Sequence, residues 1–243
     1  WILMKMNGGG SQVYYDNAVL LTGITGILAM LPCLYLYRKD HIARKAGALI
    51  PQKTAAGKLT AGEVTLIFVM GAAFSQFANM FVALLQSFID YQEYQETMDQ
   101  ITGNKSLGFL IICMGVIAPI AEEVVFRWLI YLRLRDYMKM GAAAVISGLI
   151  FGIYHGNLVQ AVYASILGMV FACFLELTGN LWTSVLLHMG ANIWSLVSPY
   201  VVQWLMEKYV LSIFLMVLLY IAVMVLGTGY FIRKSESVYD RII

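Results

Sequence analysis

Long apolar runs leave this chain few ways to fold. A hydrocarbon core about 30 Å thick takes about 20 apolar residues in helical form, and only helices and closed barrels satisfy their backbone there. Seven candidate runs extend from about Asn17 to Tyr37, Gly62 to Ile89, Leu107 to Leu132, Gly141 to Tyr154, Leu158 to Leu177, Leu181 to Val197 and Tyr209 to Phe231. The fourth is expected to continue through His155. Only Gly156 and Asn157 part it from the fifth, so a re-entrant pair is an alternative to two crossings there. Pro199 is expected to stop the sixth. The expected fold is therefore all-α, a polytopic transmembrane helical bundle of about seven spans, with residues 1–243 forming a single membrane domain. Composition agrees: 60% of residues are hydrophobic and 12% charged, against about 25% charged in soluble domains.

The loops alternate in charge. The first carries Arg38, Lys39, Arg44, Lys45, Lys53 and Lys58; the second carries Asp90, Glu93, Glu96 and Asp99 with Lys105. The third holds Arg133, Arg135 and Lys139, and the tail holds Arg233, Lys234 and Arg241. By the positive-inside rule the first loop, third loop and tail face the cytoplasm. Seven spans then put the N-terminus outside and the C-terminus in the cytoplasm. Residues 38–61 read as a cytoplasmic loop, with room for a surface helix. The opening residues Trp1 to Gly10 lack the basic, apolar and cleavage regions of a signal peptide and are expected not to be one. Net charge of +2 implies no polyanion, so no nucleic-acid partner is expected. Cys33, Cys113 and Cys173 lie in apolar runs without CxxC spacing and read as reduced packing residues.

Ionisable side chains inside the apolar runs need a reason, since each costs at least about 2.5–3.5 kcal/mol at the centre of a span. The third run contains Ala121-Glu122-Glu123-Val124-Val125-Phe126-Arg127. Successive helical residues stand about 100° apart, so Glu122 and Glu123 do not share a face. Glu123 and Arg127, four apart with the acid first, do share one and read as an ion pair. Glu122 is left pointing elsewhere into the bundle. Pro119, three residues earlier, removes a backbone donor and loosens the helix. Phe151 and His155 share a face in the next motif, and His188 and Asn192 share one in the last. Glu176, near a helix end, reads as interfacial.

Depth tests whether these groups can meet. At about 1.5 Å per residue, Glu122 lies roughly 15 Å, His188 about 11 Å and His155 about 21 Å from the cytoplasmic ends of their helices. Helix tilt absorbs much of that spread. A shared polar chamber below the cytoplasmic surface accounts for all three better than unrelated polar defects.

A carboxylate and an imidazole can hold and deprotonate one water, which is general-base machinery for hydrolysis. Glu122 with His155 fits that role. His188 with Asn192 can donate hydrogen bonds to a developing oxyanion. Alternatively His155, His188 and Glu122 could ligate zinc as a two-His, one-carboxylate site, and zinc is the cofactor such donors would take. The residues alone do not choose between these. The zincin motif His-Glu-x-x-His, a Gly-x-Ser-x-Gly elbow and an intramembrane aspartate pair are all absent.

Glu-Glu-x-x-x-Arg at 122–127, Phe-x-x-x-His at 151–155 and His-x-x-x-Asn at 188–192 resemble, in order and helix placement, the three signature motifs of the CAAX-protease and bacteriocin-processing family of intramembrane endopeptidases. The likeness covers about residues 105–200, which would be the catalytic core. It implies a helical bundle with an active site within the membrane. It implies that Glu122 and His155 activate water, that His188 and Asn192 stabilise the oxyanion, and that Glu123 and Arg127 are the supporting pair. The family was named as metal-dependent, with a metal-free glutamate mechanism as the alternative, and many members have eight spans. Its eukaryotic members trim prenylated C-terminal Cys-aliphatic-aliphatic-X motifs, while bacterial relatives are linked to peptide pheromone maturation and bacteriocin self-immunity. The expected partners are therefore membrane lipid and a membrane-anchored peptide or protein substrate.

Two other classes compete. Intramembrane Glu and His also serve proton-coupled transporters, but these commonly carry paired repeats with interrupted helices, and none is visible. A non-catalytic scaffold or immunity protein could keep the fold, although the polar set is complete.

Overall fold

The computed structural model describes residues 10–47, 58–85 and 91–239. Every element in it is helical. Helix α1 (Gly10–Lys45) and α2 (Ala61–Leu85) are followed by a short α3 (Tyr91–Thr102). A continuous helix α4 then runs Leu107–Arg135, followed by α5 (Met140–Tyr154), α6 (Leu158–Thr178), α7 (Leu181–Lys208) and α8 (Val210–Tyr239). Six of these are long and apolar enough to cross a membrane, and α5 is a shorter apolar helix. The chain is an all-α, multi-pass integral membrane protein. Its outward surface fits lipid: Leu28, Leu31 and Tyr35 on α1 and Leu211, Val225 and Leu226 on α8 are more than half exposed.

The basic ends gather at one face. Arg44 near the end of α1 pairs with Asp136 beyond α4 at 2.7 Å. Arg133 pairs with Asp40 at 2.6 Å, and Arg135 with Glu176 at 2.8 Å. Lys234 of α8 binds Glu63 at the start of α2. Trp128 donates its indole N–H to the Leu181 carbonyl at 3.2 Å, bringing the start of α7 to the same end. At the opposite end, Lys105 donates to the carbonyls of Ile101 and Tyr15. Helices α5 and α6 form a hairpin that leaves this basic face and returns to it, since Ala143 and Ala144 pack against Ala172 and Leu175 beside Tyr131. The turn uses Gly156 in the left-handed region, at φ 66°, where a side chain is disfavoured. Asn157 caps α6 by accepting from the Gln160 amide.

The core lies where α2, α6, α7 and α8 meet, around Ile67, Met70, Phe171, Phe174, Leu187 and Phe231. Helices α2 and α7 touch backbone to backbone. A Cβ on Gly71 would overlap the Leu187 carbonyl, and one on Gly190 would overlap the Phe68 carbonyl. This contact fixes the height of His188, which lies between Leu187 and Gly190.

Several boundaries differ from expectation. Helix α1 continues past Tyr37 to Lys45, because Asp40 and Arg44 gain partners on α4 by staying helical. Pro199 does not stop the sixth span, which runs on to Lys208. One lost backbone bond costs less than unwinding a helix where lipid offers no replacement donors. The acidic loop holds α3, whose polar composition hid it. Helix α5 has 15 residues, or about 22 Å at 1.5 Å each, less than a full hydrocarbon core. The expected stretch of the second span up to Ile89, the middle of the first loop with Lys53, Asp90 in the second, Arg241 in the tail and the opening residues before Gly10 lie outside the described residues.

Candidate active site

Helix α4 carries the acids and is not a regular α-helix. Two π-helical stretches, Ile111–Ile117 and Val124–Tyr131, flank the α-helical Ala118–Glu123. Such stretches widen a helix locally and favour functional positions. Between them stand Pro119, Glu122 and Glu123.

Glu123 and Arg127 form the expected pair, with Oε1 and Nη1 3.1 Å apart and both side chains fully buried. The guanidinium finds few oxygen partners, and its N–H groups have no regular hydrogen-bond acceptor among the described residues. Aromatic faces take their place, with Arg127 Cζ 4.2 Å from the Phe151 ring centroid and 5.4 Å from that of Phe171. Gly168 provides the room, because a Cβ there would lie 2.6 Å from Arg127 Nη2.

His188 joins the two acids. Its Nδ1 lies 2.9 Å from Glu123 Oε1 and its Nε2 lies 3.5 Å from Glu122 Oε2. The ring stacks on Phe171 at 5.1 Å and meets the Phe151 ring edge to face at 5.5 Å. His155 stands at the C-terminal end of α5, its Nδ1 2.8 Å from the Phe151 carbonyl. A carbonyl only accepts, so Nδ1 carries the proton and Nε2 is left with its lone pair. Glu122, His188 and Arg127 are all close enough to His155 to act on it electrostatically. The Phe151 ring lies 4.8 Å from His155, between that imidazole and the ion pair.

Asn192, one turn beyond His188, donates its side-chain amide to the Met114 carbonyl at 2.9 Å. The structure thus brings Glu122, Glu123, Arg127, His155 and His188 into one cluster, with Asn192 tied to the upstream π-helical stretch. The direct contacts add one detail. The contact made by Glu122 is with His188; the structure shows no direct hydrogen bond between Glu122 and His155. Sequence reasoning also passed over Phe151 as more than a motif letter, although it touches both imidazoles and the guanidinium. The i, i+4 spacing to His155 was the available signal.

The donor types suit zinc, since both imidazoles have Nδ1 held by an oxygen, which leaves Nε2 as the ligating atom, as in ligating histidines. As placed, the fit fails: among the described residues no three His, Cys, Asp or Glu side chains stand where they could hold one metal ion.

Comparison with known proteins falls on the same residues. Residues 104–194 match the family described as Rce1-like: Type II CAAX prenyl endopeptidase Rce1-like. The resemblance read from the motifs is borne out. The Rce1-like segment runs from just before α4 into the middle of α7 and contains all six site residues. A protein of Bacillus subtilis (strain 168) named "Putative membrane peptidase YdiL" is 23% identical over 198 residues, covering 79% of this chain and 78% of the relative. No solved structure matches the chain significantly. Family and relative both point to a membrane peptidase.

Proposed function

We propose that this protein is an intramembrane endopeptidase that hydrolyses peptide bonds of membrane-associated or lipidated peptides and proteins. The observation that carries the reading is His188 set between Glu122 and Glu123, beside His155, within the Rce1-like segment. Water is held between the Glu122 carboxylate and His155 Nε2. Glu122 takes its proton as the oxygen attacks the substrate carbonyl, and later returns it to the leaving amine. His188, with a proton on each ring nitrogen in this step, donates from Nε2 to the oxyanion while Nδ1–H stays on Glu123, and the second N–H of the Asn192 amide donates beside it. Glu123 and Arg127 orient His188 and are supporting groups. No step is routed through a metal. The basic face, with the ends of α1, α4, α6 and α8, is the cytoplasmic one, and the N-terminus is outside. Substrates of this class include C-terminal CAAX-type tails and peptides of the pheromone or bacteriocin kind.

The test is cleavage by purified protein in lipid or detergent, against prenylated CAAX peptides and pheromone precursors. Glu122→Gln and His155→Ala are each expected to lower kcat by about 10²–10⁴-fold while the protein still inserts. Full cleavage by Glu122→Gln would overturn the assignment. Cleavage that persists in protein stripped by a chelator would assign the reaction to Glu122 and His155 alone, and loss that zinc restores would require a metal step instead.

A further inference from the structure

The anchor of Asn192, the Met114 carbonyl, lies on α4 five residues before Pro119. In the first π-helical stretch of α4 the Ala118 N–H reaches back five residues to the Cys113 carbonyl. The following carbonyl, Met114, would take the N–H of residue 119 in the same pattern. That residue is Pro119, which has none. With Ala118 spent on Cys113 and Pro119 unable to donate, Met114 lacks a helical donor at both i+4 and i+5. Its carbonyl accepts from Asn192 Nδ2 instead, at 2.9 Å. The two helices are close enough for this because Gly115 is bare: a Cβ there would lie 2.6 Å from Ile193 Cγ1.

We infer that Pro119 is a positioning residue for Asn192: by withholding an N–H it leaves the Met114 carbonyl as the anchor that holds the amide at the site. One amide hydrogen is fixed on Met114, which sets the side-chain rotamer and directs the other hydrogen away from that carbonyl. An alanine at 119 would supply the missing donor, close the helix on itself and set Asn192 loose. The activity arm of the test rests on the reading of Asn192 as an oxyanion donor; the stability arm does not.

The experiment is a double-mutant cycle of Pro119→Ala and Asn192→Ala. In purified protein, Asn192→Ala is expected to lower the thermal midpoint in the Pro119 background and to lower it by less than half as much in the Pro119→Ala background. There the Met114 carbonyl already has a backbone partner. Equal drops in both backgrounds would overturn the inference whether or not the protein cleaves peptides. In the cleavage assay, Pro119→Ala is expected to reduce kcat about tenfold with KM unchanged, and to change it less than about twofold once Asn192 is alanine. An ester at position 119, an alanine analogue with oxygen in place of N–H, should restore kcat. Failure of the ester to restore it, or additive losses in the double variant, would reject positioning through Asn192. Retained cleavage by Glu122→Gln would instead reject the proposed function, leaving the stability cycle to judge Pro119.

Discussion

The buried guanidinium of Arg127 is the most exacting single residue in this protein. Removing one partner of a buried pair leaves the other uncompensated, at a cost of about 3–5 kcal/mol. Arg127→Met is therefore expected to lower the thermal midpoint steeply and to abolish cleavage, because Glu123 also holds His188 at 2.9 Å. Circular dichroism melting in detergent checks the first part. Gly168→Ala probes the same group from the other side. Its Cβ would press on Arg127 Nη2 at 2.6 Å and on Phe151 Cδ1 at 3.1 Å, and overpacking of this kind costs about 1–3 kcal/mol. A Gly168→Ala protein as stable and active as the parent would show that the guanidinium is not confined as described. At this scale much was legible in the sequence. The i, i+4 spacing fixed the Glu123–Arg127 pair, and the depth estimates brought Glu122, His155 and His188 within reach. The preference of Glu122 for His188 was not legible, because it depends on how far α7 turns about its axis, which no motif spacing encodes.

Among the elements, the α5–α6 hairpin and the α2–α7 contact set the site. Gly156 turns the hairpin at φ 66°, a region that costs other residues about 1–2 kcal/mol. Gly156→Ala is expected to destabilise by about that amount and to move His155, the residue just before it. The melting midpoint and the kcat of the variant check the two effects separately. Gly190→Leu is expected to do greater harm, since the side chain would enter the backbone of α2 at Phe68. The seven apolar helices were readable from run length alone. The π-helical stretches of α4 were not, because a π turn is selected by tertiary partners rather than by local propensity. Pro119 marked the place without stating the consequence. Pro199 misled for a related reason: its helix-stopping rule comes from water, where freed carbonyls find donors, and α7 crosses an environment that offers none.

For the molecule as a whole, the ion pairs Arg44–Asp136, Arg133–Asp40 and Arg135–Glu176 collect one set of helix ends at a single face. The hairpin returns to the face it leaves, so the other five long helices set the parity, and the start of α1 and the end of α8 are expected on opposite sides of the membrane. Single cysteines in a cysteine-free background test this. Lys45→Cys, Lys139→Cys and Ser235→Cys are expected to react with an impermeant thiol reagent from one side of sealed vesicles, and Gly103→Cys only from the other. The alternating loop charges lead to the same expectation, even though α5 is too short to count as an ordinary crossing. Charge tallies survive such an exception because a hairpin adds an even number of passes.

That short helix also bears on how the protein is made. With 15 residues, α5 falls below the length that a nascent chain needs to be retained in lipid by itself. It must await α6 and enter with it as a pair, which means that His155 reaches its final depth only after some twenty further residues have left the ribosome. Assembly of the polar cluster is thereby deferred until the second half of the chain exists, and the growing protein carries Glu122 and Glu123 into the bilayer before it possesses the imidazoles they are to meet.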